Sequence, residues 1–178
     1  AVALDGDTAL IGADKDNGTC NGTDVSCGAV YVFIKSANDW SLQQKIAAKY
    51  PEQGSYFGTS VALDGNTALI GASDEDASCN GTDIKCGAVY VFTRYGTSWV
   101  QQQKIIAEYP NAYDIFGASI ALDGNTALIG CLSCGGAYLF TQSNNHWTLI
   151  QKIIDPGVFP YSGEAFGQSV ALSGNTAL

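Results

Sequence analysis

The chain has 178 residues, enough to bury a real core, and its composition is globular, 46% hydrophobic and 14% charged. A net charge of −9, from 8 basic and 17 acidic residues, argues against a nucleic-acid partner, which wants a basic face, and against adsorption to anionic membranes. No apolar run reaches the roughly 20 residues of a membrane helix, so no membrane insertion is expected in this segment.

The N-terminal segment Val2–Gly12 reads Val-Ala-Leu-Asp-Gly-Asp-Thr-Ala-Leu-Ile-Gly, two short apolar stretches around an Asp-Gly turn. The phrase returns at Val61–Gly71 and at Ile120–Gly130, and starts again at Val170. Asp5 to Asp64 is 59 residues, and Asp64 to Asp123 is 59 again. A fixed period of this size means one supersecondary unit repeated, in which no unit buries its apolar surface alone. Residues present in every repeat are therefore expected to serve the fold. Function is expected where the repeats differ or where loops project. The chain opens and closes inside the phrase, as a window on a longer polypeptide would. The hairpin within Ala1–Gly12 and the one at Ser169–Leu178 are expected to need partner strands from outside their own repeat, because an isolated hairpin is marginal.

After each phrase comes a polar excursion, Asp14–Ser26 in the first repeat and Ser73–Lys85 in the second. Next is a strongly strand-forming segment: Ala29–Phe33, Gly87–Phe92 and Ala137–Phe140. A turn follows, placed at Arg94–Ser98 in the second repeat, and then a fourth strand that opens on Trp40, Trp99 or Trp147 and runs through Gln-Lys-Ile. A Tyr-Pro connection leads to the next unit. Nothing shows helical periodicity. The reading is all-β: four-stranded antiparallel blades of β-propeller type, three repeats plus an incomplete hairpin. The repeats divide as residues 1–56, 57–115, 116–165 (with a shortened loop) and 166–178. From Cys86 to Cys134 is 48 residues, 11 short of the period, so the third repeat has lost most of its excursion.

The six cysteines fall in local pairs: Cys20 with Cys27, Cys79 with Cys86, and Cys131 with Cys134. An even count, paired once per repeat, reads as three loop disulfides. The rival is a zinc site, which needs four converging soft ligands; the single histidine, His146, lies in another part of the repeat. Three N-glycosylation sequons stand in or beside the same loops, at Asn17, Asn21 and Asn80. Cysteine pairs and sequons together point to an extracellular or cell-surface glycoprotein.

Other residues invite functional readings and are better explained by structure. Asp5, Asp64 and Asp123 precede glycine in a turn, and the fourth copy has Ser173 there. Trp40, Trp99 and Trp147 could form a sugar-stacking platform, but their recurrence favours blade packing. His146 has no nucleophile or acid to work with. No P-loop, nucleophile elbow or zinc helix is present, and no enzyme is expected.

Phe57-Gly58, Phe116-Gly117 and Phe166-Gly167, each followed by x-Ser-hydrophobic-Ala, stand with Gly71-Ala72 and Gly87-Ala88-Val89-Tyr90-Val91-Phe92. These residues resemble FG-GAP repeats, the blades of integrin-α-like propellers. The resemblance spans nearly the whole chain. It implies a ring closed by about seven blades, a non-enzymatic fold, and roles in adhesion or ligand binding, with a protein or glycan ligand as partner. A structural role, in a glycosylated filament or coat built from copies of itself, is the alternative. The family's calcium loop, Asp-x-Asp-x-Asp-Gly, is not reproduced. Asp14 and Asp16 with Asp24 come closest, followed by Asp74 and Asp76 with Asp83. No cofactor is required on this reading, and calcium, with its six to eight oxygen ligands, is the one metal candidate.

Overall fold

The structure is a computed structural model and describes residues 1–17, 20, 26–76, 85–154, 166–174 and 176–178. Every regular element among them is a strand. The first blade is β1 (Val2–Asp5), β2 (Thr8–Ala13), β3 (Ala29–Ser36) and β4 (Asp39–Ile46). The second is β5 (Phe57–Asp64), β6 (Thr67–Ala72), β7 (Ala88–Tyr95) and β8 (Ser98–Ile105). The third is β9 (Phe116–Asp123), β10 (Thr126–Cys131), β11 (Gly136–Ser143) and β12 (His146–Ile154). Strand order within each sheet follows the chain, and all pairs are antiparallel. A last hairpin, β13 (Leu172–Ser173) with β14 (Thr176–Ala177), begins a fourth unit.

Two expectations need correcting here. The hairpin of Ala1–Gly12 is completed by its own repeat, since β2 pairs with β3 over Thr8–Ala13. It needs no outside strand to form a sheet. The turn placed at Arg94–Ser98 shrinks to Gly96 and Thr97 between β7 and β8. Arg94 stays in the strand because its side chain has work there. Its Nε donates to Asn66 Oδ1 at 2.8 Å, its Nη1 donates to Thr8 Oγ1 at 2.9 Å, and the guanidinium lies 5.5 Å from the Trp99 ring.

The core lies between blades rather than beneath any one of them. The period-2 alternation sends successive residues of a strand to opposite faces. In blade 2, Ala68, Ile70, Tyr90 and Phe92 pack against blade 1 residues such as Leu10, Val32 and Ile46. Their neighbours Leu69, Val89 and Val91 pack the other way, against Ile129, Tyr138 and Phe140 of blade 3. A strand covered on both faces loses its polar alternation, which explains why Val89–Phe92 is uniformly apolar and buried. In this structure one face of blade 1 is open. There Trp40 is 43% exposed, while its counterparts Trp99 and Trp147 are buried. The packing role expected of the tryptophans is seen at Trp99 and Trp147, each held against the blade before it.

Three repeated devices join blade to blade. The first is the Phe-Gly step. Phe116 inserts edge-to-face against Tyr138 and Phe140, at 5.3 and 6.3 Å between centroids. Its backbone N–H donates to Cys86 O at 2.9 Å. Gly117, at φ +85°, then runs so close to Gly71 and Ala88 that a Cβ at Gly71 would collide with the Gly117 carbonyl. Phe57 and Gly58 do the same one blade earlier. The second device is a carboxamide clamp. Gln44 accepts from Trp99 N–H at 2.7 Å and donates to Trp99 O at 3.1 Å, and Gln103 holds Trp147 in the same way. The third uses the turn aspartates. Asp5, Asp64 and Asp123 each accept from the turn glycine of the next unit: Gly65, Gly124 and Gly174. Their place in the turn was legible; their reach across to the next blade was not.

Candidate binding surface at the loop end of the blades

The necks of the excursions, the described cysteines and the first two Tyr-Pro connections gather at one end of the blades, where β2 leads into β3, β6 into β7 and β10 into β11. In blade 1, Asp16 is the hub. Its Oδ1 pairs with Lys45 Nζ at 2.8 Å, and its Oδ2 accepts from Tyr31 OH at 2.5 Å. One period later Glu75 takes the same place. Its Oε1 pairs with Lys104 Nζ at 2.5 Å, and its Oε2 accepts from Tyr90 OH at 2.7 Å. In both blades the ammonium also lies over the tyrosine ring, at 5.3 and 5.7 Å. Glu75 is buried, and such a charge is tolerable only because it is paired and hydrogen-bonded. Burial first, and Glu75 second, push the Tyr90 phenol well above its ordinary range. The hydrogen bond to Asp16 raises Lys45.

The necks of both excursions are tied alike. Asn17 Oδ1 accepts from Ser26 N at 2.8 Å, and Asp76 Oδ1 accepts from Lys85 N at 2.7 Å. Lys85 Nζ reaches on to Asp74 Oδ2 at 2.8 Å, which raises the lysine above its usual range. Asn17 therefore has a structural duty besides heading a sequon.

Blade 3 departs from this plan. Its loop is reduced to Leu132 and Ser133 between Cys131 and Cys134. No loop carboxylate meets Lys152, which lies 5.1 Å from the Tyr138 ring. The acid comes instead from the preceding connection. Asp114 is buried, accepts from Asn111 N at 2.7 Å, and is held above the usual carboxylate range by burial; the Asn111 hydrogen bonds and Lys152 oppose that shift. Cys131 and Cys134 form a disulfide with a Cα separation of 5.4 Å, and Cys20 and Cys27 form one at 6.0 Å. Cys86 is also disulfide-bonded, while Cys79 lies outside the described residues.

Of the calcium candidates, Asp14, Asp16, Asp74 and Asp76 are described, and Asp24 and Asp83 lie outside the described residues, as do Asn21 and Asn80. Asp16 and Asp74 are committed to lysines. Among the described residues the one trio of metal-ligating types that converges is Asp114, Cys131 and Cys134, whose ligand atoms lie within 4.8 Å of one another. Its two sulfurs are bonded to each other. The described carboxylates of the excursions therefore do not by themselves make a calcium cage, which needs six to eight oxygens.

A cleft of about 730 Å³ opens between blades 1 and 2, with Tyr50 and Pro51 on one side and Glu75, Tyr90 and Lys104 on the other. That is the size range of a ligand pocket, and its walls are mostly apolar with a few polar groups. The matching cavity between blades 2 and 3, lined by Tyr109, Asp114, Cys134, Tyr138 and Lys152, is only about 80 Å³. Tyr50 and Tyr109, the counterpart rims, are 78% and 77% exposed. These acid–tyrosine–lysine clusters and the cleft escaped the sequence reading. The signal was there, in the 59-residue recurrence of Asp16 as Glu75, Tyr31 as Tyr90 and Lys45 as Lys104.

Among known families, the FG-GAP repeat matches the chain over residues 1–33, 40–92 and 99–140, well over half its length. The second and third matches start at the tryptophan strand of one blade and end in the third strand of the next. The family's sequence unit thus straddles the blade junctions that the Gln–Trp clamp and the Phe-Gly step hold together. No curated protein matches the chain. Three stacked four-stranded antiparallel sheets with the Phe-Gly step at each junction, and this match along the sequence, show that the chain belongs to the FG-GAP repeat family.

Proposed function

We propose that the chain is a non-catalytic extracellular glycoprotein that binds a protein or glycan through the loop end of its blades. The observation that carries this reading is the division of labour between residues. Those that recur from junction to junction, the Gln–Trp clamp, the turn aspartates and the Phe-Gly step, are spent on holding blades together. What varies from blade to blade lies at the loop end: two acidic sequon-bearing excursions, a shortened third loop, and clefts of very different size.

Further features support it. FG-GAP repeats suggest a propeller-type adhesion or ligand-binding domain. Disulfides suit an oxidising compartment. The sequons at Asn17, Asn21 and Asn80 would carry the glycans. His146 is exposed at the start of β12, next to the turn from β11 and away from the loop-end clusters. The repeats are taken as 1–56, 57–115, 116–165 and 166–178, and calcium as an optional ligand of the excursions rather than a requirement.

Beads coated with the glycosylated chain and presented to the cells that make it provide the test. Adhesion that is lost when Tyr50 and Tyr109 are both changed to serine is the expected result. Beads that do not adhere would end the reading. The second reading is a structural filament or coat built from copies of the chain. Micrographs of the native material separate the two: long filaments with a regular axial repeat support the second, and discrete ring-shaped particles the first.

A further inference from the structure

Blade 3 replaces a long acidic excursion with the four residues Cys131-Leu132-Ser133-Cys134. We propose that this disulfide is a thiol-exchange site, attacked at Cys134 by a small thiol or a protein dithiol, with Cys131 as the leaving sulfur and Asp114 as its proton source.

The two sulfurs are unequal. Cys131 is fully buried, whereas Cys134 is partly exposed and lines the small cavity with Tyr109, Asn111, Ser133, Tyr138 and Lys152. An incoming thiolate therefore has a path to one sulfur only. The cavity also carries a cation, Lys152, which among the described residues has no ion pair, in contrast to Lys45 and Lys104. No carboxylate stands between Cys131 and Cys134, while Asp24 and Asp83 stand between the cysteines of the other two pairs, which Asp14, Asp16, Asp74, Glu75 and Asp76 precede. Negative excursions repel an anionic nucleophile; this loop does not. The ring it closes is also the smaller, with a sequence separation of 3 against 7 for Cys20–Cys27. A short ring gains less from restricting the unfolded chain.

The leaving group is provided for as well. The Asp114 carbonyl oxygen lies 3.2 Å from Cys131 Sγ, an acceptor in place for the S–H that release creates. The Asp114 carboxyl group lies within 4.8 Å of both sulfurs, in reach of both proton transfers. In the step itself, R–S⁻ bonds to Cys134 Sγ and the Cys131–Cys134 bond breaks. The electron pair leaves on Cys131 Sγ. Asp114 takes the proton that R–SH loses and passes it to Cys131 Sγ. One thiol and one disulfide become one mixed disulfide and one thiol, with no net oxidation.

The test is timed reduction of the folded chain with reduced glutathione, followed by alkylation and peptide mass mapping. Cys131 and Cys134 are expected to be labelled at least about tenfold faster than Cys20 and Cys27, and the trapped glutathione adduct to sit on Cys134. D114N is expected to slow this reduction several-fold and to leave Cys20–Cys27 unchanged. Cysteines that react together, Cys20–Cys27 reacting first, an adduct on Cys131, or an unchanged rate in D114N would each overturn the proposal. Cys131→Ser gives a second readout that needs no reductant. Its lone Cys134 should take up glutathione disulfide readily, and an inert Cys134 in that variant contradicts the site.

Discussion

Phe116→Ala is expected to cost about 3–5 kcal/mol, the range for emptying a large aromatic from a packed core. The Phe116 side chain is wholly buried and is held edge-on by Tyr138 and Phe140. It belongs to the cluster that glues blade 2 to blade 3, with Leu69, Val91 and Ile129 as neighbours in the same core. Truncation leaves a void that the backbone cannot close, because the N–H of Phe116 is fixed to Cys86 O and its glycine neighbour is wedged against Ala88. At about 2–4 °C per kcal/mol for a chain of this size, the thermal midpoint should drop by roughly 6–20 °C. Calorimetry reads this directly. Phe116→Leu, which keeps most of the volume, should lose much less, and equal losses in the two variants would show that packing at this step is not what joins the blades.

Gly117→Ala is expected to be nearly as damaging, at roughly 2–4 kcal/mol, although it adds a single methyl group. Two penalties add. Gly117 has φ +85°, outside the region that L-residues occupy comfortably. A Cβ there would stand 2.8 Å from Ala88 O and 2.9 Å from Val89 Cγ2, on the neighbouring blade. Gly96→Ala is the control that separates the two. Gly96 also has positive φ, +63°, but a Cβ there meets nothing within 4 Å. It should therefore pay only the conformational cost, about 1 kcal/mol. Urea unfolding of both variants checks the ranking; a Gly96 variant as unstable as the Gly117 variant would remove the steric part of the account.

Much of this fold could be read from the sequence because it is written three times. The two hairpins per unit, the Asp-Gly turns and the apolar third strand each have a local chemical cause, and each recurs at Asp5, Asp64 and Asp123 or at Tyr31, Tyr90 and Tyr138. What stayed hidden was everything that depends on the next blade. Gln44 and Gln103 look like solvent-facing strand residues until Trp99 and Trp147 are placed opposite them. Arg94 looks like a turn residue until Thr8 and Asn66 are brought beside it.

The loop end was the harder part, for a different reason. Its clusters change chemistry along the chain while keeping their place. The acid is Asp16 in blade 1, Glu75 in blade 2, and is supplied by Asp114 from another segment in blade 3. A search for identical residues passes over such a series. The tyrosine and lysine are constant, but in blades 1 and 2 they stand 15 and 29 residues of chain from their acid, so only the closed hairpin joins them.

The central claim is that recurring residues hold the blades together while the variable loop end does the binding. Blade 3 supplies its own experiment, because it keeps all four strands with a loop of Cys-Leu-Ser-Cys-Gly in place of the longer excursions. Residues 13–28 and 72–87 can each be replaced by those five, with Lys45 and Lys104, whose acids Asp16 and Glu75 the swap removes, changed to glutamine, and the variant followed by thermal unfolding and by the bead adhesion assay. Shortening a surface loop changes closure entropy by only about 0.6 kcal/mol per halving. The account predicts one cooperative transition within about 4 °C of the parent, with adhesion lost. A variant that unfolds, or one that adheres as well as the parent, would contradict it.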